Sequence, residues 1–359
     1  MIDNSTISFE LNESILVRIG STWILDSIYM FIISPLGLIG FALNLICFIV
    51  LIQIKVKETK LYELLRVYSL NSSIICLICG FMFISYSPRY FKHFADYFAG
   101  FYRCRVFIYG VMSLYFFGNC MDILICLDRL SIFVNSIKKL KTFIKWYNLF
   151  LFFFIICLLI NGPILFSFDI MNKNEFYNSN ETSYCLANSF LKTKSGFAIN
   201  MVIIIIRDIL TLICEIIASL FTLKYFKSYS SNKISVLHNL PAHDSSLSDG
   251  IEHNNKIDHK NEVVNVNNNR NSLNSKSIQK GKNIMKMTII LSLTSIISHS
   301  VVAIVFVLFV NIVKNNTILV FSMICLGSFS LCLKHFLNIF IFYSFNFKFQ
   351  DKFKKIMKI

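Results

Sequence analysis

The sequence predicts an all-α membrane protein: a seven-transmembrane helix bundle with its N-terminus outside and a short cytoplasmic amphipathic helix after span seven. Three observations carry this prediction. Of 359 residues, 55% are hydrophobic and only 15% are charged, with a mean hydropathy of +0.62; a soluble domain carries about a quarter charged residues. The apolar residues, 37 phenylalanines among them, gather into seven runs, each long enough for the roughly 20 helical residues that a bilayer core requires. The lysines and arginines fall mostly between those runs, alternating in density from one loop to the next, as the rule that basic loops stay in the cytoplasm demands.

The runs differ in what they bury. Span one (28–54) and span two (67–87) hold no charge, and span three (106–127) holds only Asp122. Span four (146–168) is uncharged and contains Pro163, whereas span five (196–223) contains Arg207, Asp208 and Glu215. Span six (287–313) has His299 and no full charge, and span seven (317–347) has Lys334 and His335. A lipid-exposed segment must satisfy its own backbone, so each run is read as a helix.

Lys55, Lys57 and Lys60 after span one, Lys138, Lys139, Lys141 and Lys145 after span three, and Lys348, Lys352, Lys354, Lys355 and Lys358 in the tail share one side, the cytoplasm. The first 25 residues carry Arg18 as their one cation and belong outside; Arg89, Lys92 and Arg103 make the loop between spans two and three a mild exception. No cationic, apolar and small-residue series opens the chain, so no cleaved signal peptide is expected. Glycosylation sequons at Asn4, Asn12, Asn180 and Asn315 all fall outside in this topology. A fifth, at Asn71, lies within span two and is expected to be inaccessible. The resulting organisation is an extracellular tail (1–25), spans one to five (26–226), a third cytoplasmic loop (227–283), spans six and seven (284–347) and a cytoplasmic amphipathic tail (348–359). The loop is rich in Asn, Ser, Lys and His without apolar periodicity, the composition of disorder.

The net charge of +15 follows membrane topology rather than a nucleic-acid-binding face. No nucleophile constellation, phosphate loop or metal-spaced His/Cys set lies outside the spans, so neither enzyme chemistry nor a metal or other cofactor is expected. Nine of the eleven cysteines lie inside apolar runs; Cys104 and Cys185 do not. Cys104 precedes Arg129 by 25 residues, about 38 Å of helix. One helix thus carries a cysteine at its outer edge and the adjacent charges Asp128 and Arg129 at its inner edge. Cys185 falls in the outer loop between spans four and five, where a disulfide to Cys104 is permitted.

Polar residues also recur at helical spacing within the spans. Span three shows Tyr115, Asn119, Asp122, Cys126 and Arg129; span five shows Asp208, Thr211, Glu215 and Thr222. Ser292, Ser295 and His299 line span six, and Gly327, Ser330, Lys334 and Asn338 line span seven. Intramembrane ionisable groups are functional candidates, and Asp122 is expected to pair with Lys334 or His335 in the bundle core.

With these features the chain resembles the rhodopsin-like (class A) G-protein-coupled receptors. In that family span three begins with a cysteine bonded to the second outer loop and ends 25 residues later at the Arg of an Asp/Glu-Arg-Tyr motif, which reads Asp128-Arg129-Leu130 here. The "GFALN" of residues 40–44 resembles the family's span-one Gly-x-x-x-Asn, with Asn44 as an interhelical anchor. The run "NIFIFYSFNFKFQDKF" (338–353) resembles the family's end of span seven. Asn338 stands at its Asn, Phe342 at its Tyr, and Asn346 and Phe349 at the Asn and Phe that follow. Phe345, Phe349 and Phe353 would then seat a short amphipathic helix in the interface, with its lysines toward acidic lipid headgroups.

The sequence departs from the pattern at Ile339, where the family has proline, and in span six, which reads "SLTSIISHS" instead of Cys-Trp-x-Pro. The span-two acid, where many members bind sodium, is read as Ile74. The resemblance then implies that a core lysine substitutes for the bound cation. It also implies a Cys104–Cys185 disulfide and an Asp128–Arg129 switch acting on a heterotrimeric G protein at the plasma membrane. The amine-binding Asp of the family is Val111 here, and the retinal lysine of opsins is Cys332, leaving a peptide or chemosensory ligand. The rival function is a transporter or channel that uses Asp122, Glu215 and Lys334 as an ion or proton relay; the absence of an internal repeat weighs against it.

Overall fold

The computed structural model describes residues 27–54, 60–82, 96–134, 146–172, 183–187, 189–238, 279, 281–305 and 317–358. The four outer sequons, residues 1–26, the lysines at 138–145 and residues 239–278 of the third loop lie outside the described residues.

Seven long helices lie among the described residues. α1 (Tyr29–Gln53) begins with a π-wound turn, Tyr29–Ile33. Pro35 sits in the first turn of the regular helix that follows, and its ring nitrogen has no proton for the carbonyl four residues back. α2 is Leu61–Gly80. It starts six residues before the uncharged run of span two, because Arg66 has work at that depth. Its Nε donates to the Leu51 carbonyl at 3.0 Å and its Nη2 to the Ile54 carbonyl at 2.8 Å, capping the orphan carbonyls that end α1.

α3 (residues 96–130) combines Asp96–Phe101, a π-wound stretch Tyr102–Val111 and the regular Met112–Leu130. α4 is Trp146–Leu165. The outer loop that follows forms an antiparallel hairpin, β1 (Phe168–Asn172) with β2 (Ser183–Ala187), in which Cys185 stands opposite Ile170. α5 (residues 194–238) is capped by Thr193, whose Oγ1 accepts from the Gly196 amide at 3.0 Å, and includes the π-wound Ile205–Leu210. Its last part, Thr211–His238, continues helical through residues 227–238, the first twelve positions of the expected third loop. α6 is Gly281–Val305, α7 is Thr317–Phe345, and α8 is Phe347–Met357.

Six of the seven long helices are long and apolar enough to cross a membrane by length and composition; α5, the remaining one, carries Arg207, Asp208 and Glu215 in its span. The multi-pass membrane protein is accordingly apolar outside and polar within. Phe31, Leu159, Phe166 and Ile297 are each more than 60% exposed, while Asp122, Arg207, Asp208, Glu215, His299 and Lys334 are no more than 3% exposed.

α1 and α2 pack backbone to backbone. A Cβ placed on Gly37 would lie 2.5 Å from the Gly80 nitrogen, and one on Gly40 would lie 2.9 Å from Cys76 Sγ. Small residues permit this approach in a bilayer, where dispersion replaces the hydrophobic effect as the force between helices. One turn beyond Gly40, the close approach delivers Asn44 to the seam with α2 and α7.

Candidate functional site: the polar core and the inner end of α3

Three connected polar clusters occupy the interior. The first joins α1, α2 and α7. Asn44 Nδ2 donates to the Gly40 carbonyl at 2.8 Å and to the His335 carbonyl at 2.9 Å. Asn338 Nδ2 donates to Asn44 Oδ1 at 3.2 Å and to Ser72 Oγ at 3.3 Å, and His335 Nδ1 lies 2.9 Å from the same hydroxyl. Ser72 is therefore the span-two residue that faces the interhelical asparagines. Ile74, the position read from the sequence as the equivalent of the family's acid, is 38% exposed on the outer surface of α2. Two residues rotate a helix by roughly 200°, so an error of two positions exchanges the core face for the lipid face. Asn71, the inaccessible sequon, is buried and donates to the Leu114 carbonyl of α3 at 3.0 Å.

The second cluster joins α3, α6 and α7. Of the two bases weighed as partners for Asp122, Lys334 is the one that reaches it. Its Nζ donates to Asp122 Oδ2 at 2.8 Å and to Ser295 Oγ at 2.7 Å, while Ser295 donates to the same carboxylate oxygen at 2.7 Å. His335, one position on, points at α2 instead. A carboxylate and an ammonium are tolerable here because each has its counter-charge and a hydroxyl in hydrogen-bond contact.

The third cluster joins α3, α5 and α6. His299 Nδ1 is 3.4 Å from Glu215 Oε2, and its Nε2 is 3.5 Å from both Asn119 Nδ2 and Thr211 Oγ1. The Tyr115 ring meets the imidazole edge-on at 5.5 Å. Toward the outer side, Arg207 makes two bonds to its neighbour Asp208, at 2.9 and 2.7 Å, and a third to Asn161 Oδ1 of α4 at 3.4 Å. Both side chains are fully buried and bonded to each other.

At the inner end of α3, Asp128 and Arg129 are 1% and 6% exposed. Arg129 Nη2 lies 2.5 Å and Nε 3.2 Å from Asp128 Oδ2. Nearby, the Asn346 carboxamide oxygen caps α8 by accepting from the Phe349 amide at 3.2 Å, and it also accepts from Tyr62 OH of α2 at 3.1 Å. Asn346 thus fastens the start of α8 to α2, a role signalled in the sequence by an N-cap residue before an amphipathic run. Tyr62, missed in the sequence, lies outside the uncharged run and so drew no attention. Phe349 is fully buried against Phe342 at 5.8 Å, and Phe353 stacks on Phe349 at 6.0 Å. At the outer end, Cys104 is buried and disulfide-bonded.

No protein-family model and no curated protein matches the chain. Among solved structures, the crystal structure of squid rhodopsin matches with a TM-score of 0.62 at 13% sequence identity, covering 93% of this chain and 86% of that one. At that identity the likeness concerns the fold alone. By its architecture the chain has a rhodopsin-like seven-helix fold.

Proposed function

We propose that the chain is a G-protein-coupled receptor that carries an extracellular signal across the plasma membrane to a heterotrimeric G protein. The observation that carries this reading is the buried Asp128–Arg129 pair at the end of α3, within a rhodopsin-like fold. An arginine held by its own neighbour is a two-state element: a ligand that favours the conformation in which Arg129 leaves Asp128 shifts the population toward it. Cys104 is proposed to bond Cys185, since the other nine cysteines form no disulfide, which would tie the β1–β2 hairpin to the outer end of α3. The four outer asparagines, Asn4, Asn12, Asn180 and Asn315, are proposed glycosylation sites.

The ligand is proposed to be a peptide or another chemosensory molecule. Lys334, the one lysine in the core of α7, is bonded to Asp122 and Ser295 rather than offered to a chromophore, and Val111 stands where an amine receptor has its acid. The transporter reading gains nothing from the fold. The decisive experiment reconstitutes the purified chain in lipid with a heterotrimeric G protein and follows nucleotide exchange, while a ligand library is screened in cells expressing a promiscuous G protein. Receptor-dependent exchange that disappears in Arg129→Ala supports the reading. Ion flux through the reconstituted chain, with no exchange under any ligand, would replace it with the transporter.

A further inference from the structure

Apart from the Arg207–Asp208 pair, the core assembles two carboxylates, Asp122 and Glu215, and one ammonium, Lys334. Lys334 is engaged by Asp122 and Ser295, and Arg207 and Asp208 neutralise each other across two bonds. Glu215, fully buried, is left facing a histidine. Its Oε2 is 3.4 Å from His299 Nδ1, and its Oε1 has no hydrogen-bond partner among the described residues. With a neutral imidazole the cluster holds one surplus negative charge in a medium that strongly disfavours it.

We propose that the Glu215–His299 pair is a binding site for one exchangeable proton, taken up from solution and held on His299 with Glu215 as its counter-ion. The hydrogen-bond pattern allows both states. Without the proton, Nδ1–H of His299 donates to Glu215 Oε2 and Nε2 is an acceptor. Thr211 Oγ1 donates to the Arg207 carbonyl, so the Asn119 amide nitrogen is the donor that Nε2 receives. On uptake the proton adds to Nε2, which becomes a donor; the hydrogen bond that Nε2 accepted from Asn119 is given up, no covalent bond breaks, and the charge of the pair changes from minus one to zero. Asn119 accommodates the change by turning its carboxamide, because its Oδ1 has no hydrogen-bond partner among the described residues and becomes the acceptor for the new N–H.

The charged and titratable groups around the pair are consistent with this assignment. α3 presents Tyr115, Asp122 and Cys126, α5 presents Arg207 and Asp208, α7 presents Lys334, and α2 presents Tyr68. The charges among them cancel pairwise, leaving Glu215 as the uncompensated one. A nitrogen base against a carboxylate suits a proton better than an alkali ion, since hard cations select shells of oxygen. The occupied site joins α5 to α6 by an imidazolium–carboxylate pair.

The test uses the purified full chain in lipid nanodiscs, with thermal unfolding followed over roughly pH 5 to pH 8, the range in which histidine changes charge. Imidazolium gains a partner on folding, so its stabilisation is present at the acid end and lost as pH rises through the folded-state titration. The wild type should lose thermal stability across the upper part of the range, equally in sodium and in choline buffer. Glu215→Gln and His299→Gln should each flatten that slope, and either variant alone decides the matter. Should neither fold, infrared spectra of ring-labelled histidine in His335→Gln decide it, by whether an exchange-protected imidazolium signal titrates in this range. A flat wild-type profile, a slope retained in either variant, a slope seen only with sodium, or no such infrared signal would overturn the proposal. The measurement involves no G protein, so its failure leaves the receptor reading untouched.

Discussion

At the residue scale the core is governed by whether each buried charge keeps its partner. Lys334→Met would leave Asp122 with the Ser295 hydroxyl but no counter-charge bonded to it among the described residues, and breaking a buried pair costs about 3–5 kcal/mol. The purified variant should therefore show a sharply lowered unfolding temperature and reduced surface expression. Adding Asp122→Asn removes the stranded charge, so the double variant should recover most of the lost stability, and the cycle of single and double variants gives the coupling directly. Which residues turn inward was legible in the sequence: Asn119, Asp122, Cys126 and Arg129 recur at helical spacing, and all are buried. Which residue each one meets was not. Lys334 and His335 are adjacent in sequence yet point to different helices, and Ser72 and Ile74 exchange core for lipid over two positions. Periodicity fixes a face to within about a quarter turn, and pairing depends on the crossing of two helices that the sequence of either one does not contain.

At the element scale, helices meet through surfaces whose tolerance differs from place to place. Gly37→Ala puts a methyl group 2.5 Å from the Gly80 nitrogen and 2.8 Å from its Cα. Backbone cannot step aside as a side chain can, so overpacking of about 1–3 kcal/mol is expected, read as a lower unfolding temperature. Gly162→Ala on α4 has nothing within 4 Å of the added carbon and should be neutral, which separates a packing effect from a general intolerance of substitution. At α8, Asn346→Ala removes both the cap of the Phe349 amide and the acceptor for Tyr62. Loss of such a cap costs about 1 kcal/mol, and hydrogen exchange across residues 347–357 should accelerate while the exchange of α3 stays unchanged. The amphipathic character of α8 was legible in its phenylalanine and lysine spacing. The π-wound turns in α1, α3 and α5 were not, because apolar periodicity registers a helix without resolving one extra residue in a turn.

At the scale of the whole molecule, hydropathy alone predicted seven apolar runs, and long helices stand at each of them in a fold that matches squid rhodopsin at 13% identity. A pattern of apolar lengths and inward polar positions thus specifies this fold with few identities shared. The outer hairpin escaped detection because its two short strands, Phe168–Asn172 and Ser183–Ala187, are interrupted by a polar loop and lack a two-residue turn signal. In the proposed receptor the output of the bundle is set at the inner end of α3. If Asp128 holds Arg129 in the resting state, Asp128→Asn weakens that state by removing charge-assisted bonds of about 1.5–3 kcal/mol, and every 1.4 kcal/mol shifts a two-state population about tenfold. Ligand-independent nucleotide exchange should then rise about tenfold or more over wild type at equal receptor density, and Arg129→Ala in the same background should abolish the rise. Basal exchange unchanged in Asp128→Asn would mean that the pair serves packing alone, and the switch would have to be sought in the Asp122–Lys334–Ser295 clasp that joins α3, α6 and α7.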